Sequence, residues 1–271
     1  MLPYIPLPFW PHQLPTFGLM LWLAAVAGAV VADRAFKRAR LTADAVGMAA
    51  VAVVAGIVGA KLWHVLDTPS EFKALGWGVL WDTAGFAWYG GLIFGIAALA
   101  LQGIREKIGA LRTLDLAAPA AAIGYGVGRI GCFLSGDGCY GIEIHPVHLL
   151  GFTFTPWGTA FPRGIEPVFV PVYPTPLYEL AAGLAIGAWL WWRLGKPHAT
   201  GSIVGQYLAL AGMARFLVEF IRRNPKVIWG LSNAQLASAG AVVAGVALAW
   251  WAATRPVIEP EKARAAVEKA A

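Results

Sequence analysis

The chain has 271 residues, of which 58% are hydrophobic and only 13% charged. Soluble domains carry about a quarter charged residues, so this composition excludes an ordinary soluble globule and asks instead how many runs can cross a bilayer. The formal net charge of +6 is distributed between apolar runs rather than gathered on one face or tail; that pattern encodes membrane topology and excludes a nucleic-acid partner.

The N-terminal stretch MLPYIPLPFWPHQLP has no Lys or Arg before the first apolar run. A secretory signal peptide needs a positive start, so this run reads as a retained span. Seven apolar runs follow in order, near Phe17–Ala35, Ala45–Leu66, Phe86–Ile104, Leu114–Leu134, Pro176–Leu194, Gly201–Ile221 and Ser232–Ala252. Each approaches the roughly 20 residues that a membrane helix requires. Backbone in lipid must satisfy its own hydrogen bonds, which makes helices of these runs. The segment from about Gly141 to Tyr173 is apolar, aromatic and turn-rich, bracketed by Pro171, Pro174 and Pro176; it predicts an irregular outer loop. It suits either a surface that receives a substrate or a structural cap. The tail from about Arg255 to Ala271 predicts a short solvated helix. No internal repeat or second domain is visible, so residues 1–271 read as a single multi-pass domain.

Thirteen cations fall in the loops after spans one, three and five and in the tail, among them Arg34, Arg105, Arg193 and Arg255. The opposite side holds five: Lys73, Arg163, Arg222, Arg223 and Lys226. Positive-inside logic places the thirteen in the cytoplasm, the N-terminus outside and the C-terminus in the cytoplasm. Lys61, Arg129 and Arg215 remain inside apolar runs. A charge there costs several kcal/mol and marks a candidate site unless it is paired or snorkels to the interface. Lys61 reads as snorkelling, and His64 as interfacial.

Arg129 lies in YGVGRIGCFLSGDGCYG, among glycines that suit a closely packed helix unwinding at its outer end, with Asp137 in the outer turn. Anion binding and a structural Arg–Asp pair are both open. Arg215 lies in LAGMARFLVEFIRR with Glu219 four residues on, so the two share one helix face and can pair. With Arg222 and Arg223 it makes a track of guanidinium groups toward the outer surface, a geometry suited to phosphate. Glu179 opens span five and serves as a cap or as a partner for an arginine. Tyr89, in FAWYGGLIFG, precedes Gly90 and Gly91, which permit close approach. Cys132 and Cys139 are the only cysteines and read as packing residues. His145 and His148 have metal-like spacing but no accompanying Cys or carboxylate set, so neither a metal nor a cofactor is expected.

These segments together resemble the bacterial prolipoprotein diacylglyceryl transferase family. FGLMLWLA, AWYGGLIFG, LDLAAPAAAIGYGVGRIGCFLSGDGCYG, PTPLYELAAG and ARFLVEFIRR resemble that family's motifs in the right order. The resemblance implies a seven-span enzyme of the bacterial inner membrane, N-terminus outside. It would move the diacylglyceryl group of phosphatidylglycerol to the lipobox cysteine of a prolipoprotein signal sequence, giving a thioether and glycerol phosphate. It implies that Arg129 is the family's essential signature arginine and that Arg215 and Glu219 match its sixth-span arginine and glutamate, with Asp137 matching an acidic signature residue and Tyr89 as a proton relay or headgroup contact. Gly90, Gly91, Gly131, Cys132, Ser135, Glu179, Arg222 and Arg223 are the expected substrate-side positions. The chain departs from the family where His is common at Tyr89 and Asn is common at Cys132 and Ser135. A family member that binds lipid or signal sequence without catalysis, or a small transporter, are the competing readings; the transporter lacks the expected matched halves.

Overall fold

A computed structural model describes residues 1–6, 13–81, 85–149 and 152–258. Its architecture is an all-helical bundle, with short two-stranded hairpins at its ends. The long helices are α1 (Thr16–Arg38) and α2 (Ala45–Asp67), followed by a short α3 (Pro69–Leu75) and a 3-10 turn (Gly76–Trp81). Then come α4 (Trp88–Arg105), α5 (Ala110–Ser135), α6 (Thr175–Leu194), α7 (Ser202–Val218) and α8 (Asn233–Ala253). Every expected apolar run thus falls on one long helix, with ends shifted by a few residues. Five of them, α1, α2, α5, α7 with the 3-10 turn that extends it to Ile221, and α8, are long and apolar enough to cross a membrane. The 18-residue α4 and 20-residue α6 carry Trp88, Tyr89, Gln102 and Arg105, or Tyr178, Glu179 and a Trp-rich end, which dilute their apolar character.

Small residues set the helix spacing. A Cβ on Gly90 would run into the Gly59 carbonyl oxygen, and one on Gly91 would lie 3.3 Å from that of Gly56, so α4 rides directly on the α2 backbone. A Cβ on Gly131 would approach Met20 Cβ to 2.9 Å, where α5 lies against α1. The structure therefore commits Gly90, Gly91 and Gly131 to helix packing. α5 is central, packed against α1, α4, α6 and α7, and α7 pairs closely with α8.

One end of the bundle is closed by an apolar core of Ala35, Phe36, Leu116, Leu190, Leu194 and Ile203. There the buried Asp115 of α5 accepts hydrogen bonds from the backbone N–H groups of Gly201 (2.6 Å) and Val204 (2.7 Å). It supplies in trans the cap that Gly201, without a side chain, withholds from α7. His198–Ala199 pairs with Val257–Ile258 nearby, so the described start of the tail is strand rather than the expected helix; residues 259–271, with Lys262, Arg264 and Lys269, lie outside the described residues.

The other end is where α5 stops. Gly136, with φ of 60°, takes the left-handed C-cap position that a glycine accepts without Cβ strain. The segment that follows is more regular than expected. Val147–Leu149 pairs with Phe152–Phe154, and Thr159–Phe161 with Val168–Val172. It is sewn onto the bundle by Ile165 N–H to Ser135 O, Glu166 N–H to Gly136 O and Gly141 N–H to Tyr173 O, each 2.8–2.9 Å. Tyr140, Phe161 and Val172 form a small core beneath it, with Tyr140 and Phe161 stacked 5.0 Å apart. Lys61 does not snorkel. It is buried, donates to Val79 O at 3.4 Å and lies 4.3 Å from the Phe86 ring centroid, while His64 pairs with Glu71 at 3.0 Å.

Candidate active site

Four helix termini converge under the hairpins: the C-terminal ends of α5 and α7 and the N-terminal ends of α6 and α8. Glu179, one turn into α6 and 2% exposed, is their meeting point. Arg129 of α5 places Nε 3.3 Å from Glu179 Oε2, and Arg215 of α7 places Nη1 3.2 Å from Oε1. Arg222, after the 3-10 turn Glu219–Ile221, brings Nη1 to 3.2 Å from Oε2. Tyr125, one turn before Arg129, donates its phenol hydrogen to Oε1 at 2.7 Å and accepts from Arg129 Nη2 at 2.8 Å. Oε1 thus accepts two hydrogen bonds, while Oε2 accepts one from Arg222 and makes an ion-pair contact with Arg129 Nε.

Glu219 forms a second layer. Its Oε1 accepts from Asn224 Nδ2 at 2.6 Å and Ser232 Oγ at 2.7 Å. Its Oε2 lies 2.8 Å from Arg215 Nη2 and 3.7 Å from Arg222 Nε, ion-pair contacts without an aligned hydrogen bond. Ser232 and Gln235 also form a reciprocal capping box that starts α8, so the cap of one helix and the anchor of a buried charge are the same hydroxyl. Lys226 donates to Gln235 Oε1 at 3.2 Å.

Three guanidinium groups against two carboxylates leave one net positive charge in a site whose members are largely buried. A charge so desolvated is costly alone, which makes the cluster a candidate anion site. Arg222 Nε, buried, has no hydrogen-bond partner among the described residues, and a second donor that such an anion could meet is Arg129 Nη1. Its partners are two sulfurs, Cys132 Sγ at 3.7 Å and Cys139 Sγ at 4.0 Å, and thiols are weak acceptors. The Cys139 thiol is held below its usual range, chiefly by the hydrogen bond from Cys132.

The expected residues separate into groups. Arg129, Arg215, Glu219, Glu179 and Arg222 meet in one cluster. Asp137 does not pair with Arg129; its Oδ1 accepts from the Cys139 backbone N–H at 3.2 Å and shapes the turn, and Glu179 takes the guanidinium instead. Ser135 is fully buried, its Oγ 3.4 Å from Cys132 O. Arg223 is exposed and stacks over the Tyr140 ring at 5.5 Å. Tyr89 is 44% exposed on α4 and outside the cluster. Cys132 and Cys139, read as packing residues, bring their sulfurs within 4.8 Å of one another and of an Asp137 carboxylate oxygen. His145 is exposed; the His148 side chain lies outside the described residues. Tyr125, Asn224, Ser232 and Gln235 are members that sequence reasoning missed. For Tyr125 a signal existed, since it stands four residues before Arg129 on one helix face.

A family profile described as prolipoprotein diacylglyceryl transferase matches residues 5–251. A relative from Methylibium petroleiphilum, named phosphatidylglycerol–prolipoprotein diacylglyceryl transferase, is 33% identical over 252 residues, covering 89% of this chain and 90% of the relative. Proteins of the same name from Pseudomonas paraeruginosa and Leptospira interrogans are each 31% identical, over 93% and 78% of this chain and 94% and 72% of their own lengths. The arginine–glutamate cluster sits within the matched region, and the chain belongs to the prolipoprotein diacylglyceryl transferase family.

Proposed function

We propose that this protein transfers the diacylglyceryl group of phosphatidylglycerol to the cysteine thiol of a prolipoprotein. Its relatives are named for that reaction. The observation that carries the reading beyond the name is the net positive charge of the Arg129–Glu179–Arg215 cluster, with Arg129 Nη1 facing sulfur acceptors among the described residues.

The reaction breaks a carbon–oxygen bond beside a phosphate and forms a carbon–sulfur bond. The leaving glycerol phosphate gains negative charge as the bond opens. Preorganised cations at that position are commonly the largest catalytic contribution. Arg129 and Arg215 hold the phosphate, and their planar forks suit its oxygens. Glu179 is a positioning residue: it orients the guanidinium groups of Arg129, Arg215 and Arg222. Glu219 fixes Arg215 and Arg222 in the same way. Asp137 holds the turn that carries Cys139. The nucleophile is the substrate thiol, reactive as thiolate, whose proton must depart. The exposed phenol of Tyr89 serves as relay or headgroup contact. Arg223 extends the cationic path outward, while the buried Cys132 and Ser135 lie beneath it at the end of α5.

In this reading α4 and α6 span the membrane with the other five long helices, the N-terminus and the hairpin segment 141–173 face outward, and the tail is cytoplasmic. Residues 1–271 act as one domain of a bacterial inner membrane, and the hairpins receive the signal sequence with its lipobox cysteine.

The test is incubation of purified protein with labelled phosphatidylglycerol and a lipobox-cysteine peptide. A thioether-linked product that disappears in Arg129→Lys supports the reading. Lipid binding without product would reassign the chain as a non-catalytic binder.

A further inference from the structure

We propose that Cys132, Asp137 and Cys139 form a binding site for a thiophilic divalent cation, of the zinc and cadmium class, set directly against Arg129. The two sulfurs and a carboxylate oxygen lie within 4.8 Å of one another. A cation centred among atoms so spaced stands about 2.8 Å or less from each, against roughly 2.3 Å for Zn–S and 2.0–2.2 Å for Zn–O, so closure by at most about 0.5 Å at sulfur and 0.8 Å at oxygen completes three ligands. A fourth position is then left for water, the arrangement of an open zinc site.

The backbone permits that closure. Asp137 is flanked by Gly136 and Gly138, both at positive φ (60° and 80°), where the turn is set without Cβ strain. The Asp137 carboxylate is already turned toward the thiols by the N–H of Cys139. Cys132 is buried at the end of α5, while Asp137 and Cys139 are half-buried, which gives a protected site with an entry path.

Charge also fits. Two thiolates and a carboxylate around a dication leave one negative charge, and Arg129 Nη1 already points at both sulfurs. The guanidinium thus acts as the outer partner that metal thiolates ordinarily find, rather than as a repelling neighbour. Binding replaces two S–H bonds by two metal–sulfur bonds and releases two protons, with no redox change. The transfer reaction takes its thiol from the substrate, so it leaves this pair unexplained.

Metal thiolates are charged acceptors and hold Nη1 more tightly than thiols do. Occupancy therefore withdraws that donor from phosphate and slows transfer; this consequence, unlike the binding, rests on the proposed function.

Cadmium titration of the reduced protein in detergent tests the site through the ultraviolet thiolate-to-metal charge-transfer band. One equivalent should saturate it, Cys132→Ser and Cys139→Ser should each abolish it, and Asp137→Asn, which alters only a half-buried turn, should weaken affinity by about tenfold or more. Absence of the band at one equivalent, or its persistence in Cys139→Ser, overturns the site. Zinc should inhibit transfer by wild type reversibly, with chelator restoring it, and spare Cys139→Ser. A band without inhibition overturns the coupling to Arg129. A metal-free protein that binds cadmium yet makes no thioether overturns the proposed function and leaves the site standing.

Discussion

Arg129 and Arg215 reach the same side chain from different helices, Nε of the first lying 3.3 Å from Glu179 Oε2 and Nη1 of the second 3.2 Å from Oε1. Neither arginine is placed by its own helix alone. Their spacing is that of two oxygens on one carboxylate, which makes a third helix the reference point for both.

Glu179→Gln tests that dependence. The amide keeps the shape but removes the charge that three guanidinium groups share. Loss of one partner from a buried ionic network costs on the order of 3–5 kcal/mol. Transfer should fall by roughly 100-fold or more, with a lowered unfolding temperature in detergent, because the arginines then repel and separate. Retention of both would show that the carboxylate is dispensable to the cluster.

Tyr125→Phe and Tyr89→Phe form a contrasting pair. Tyr125 bridges Glu179 and Arg129, so removing its hydroxyl should cost about 1–2 kcal/mol of transition-state stabilisation, a roughly tenfold drop in kcat/KM. Tyr89 has an exposed phenol on α4, and its Phe variant should keep the unfolding temperature of wild type. Initial rates with saturating and limiting lipid then separate a relay role for Tyr89, seen in kcat, from a headgroup contact, seen in KM.

Gly90→Ala should destabilise without touching the charged cluster. The new methyl meets the Gly59 carbonyl, and backbone cannot yield as a flexible side chain does. Overpacking of this kind costs about 1–3 kcal/mol, to be read as a lowered unfolding temperature.

Asp115→Asn probes the opposite end. The carboxylate accepts two backbone N–H bonds at the start of α7, and the amide retains only part of that capacity. A loss of about 1–2 kcal/mol in stability is expected, with the charged cluster intact. A variant as stable as wild type would show that α7 needs no such cap.

The bundle was legible because long apolar runs become helices: each run falls on one long helix, and five of these are long and apolar enough to cross a membrane. What crosses between helices was not. The i, i+4 pair Arg215–Glu219 could be read from spacing, and its 2.8 Å contact is in place. The links of Arg129 and Arg222 to Glu179 span 50 and 43 residues and depend on helix rotation, which no local pattern encodes. An Arg129–Asp137 pair was one of two readings open from their closeness in sequence, but Asp137 lies beyond the left-handed turn at Gly136, where the chain changes direction. That same turn folds Cys139 back toward Cys132, a meeting that helical periodicity cannot foresee. The strands of segment 141–173 were missed because short hairpins in an aromatic, proline-rich stretch lack the long alternation by which strands are recognised.

Asp115 and Glu179 together lash α5 to its neighbours at both extremities, one through amide hydrogens and the other through guanidinium groups. A strut fastened at its two ends cannot slide or roll as a rigid rod; only flexing alters the gap at its tip. The entropy needed to bring opposing cations to a set separation is therefore spent when the chain folds, and a lipid arriving later meets a gauge already fixed.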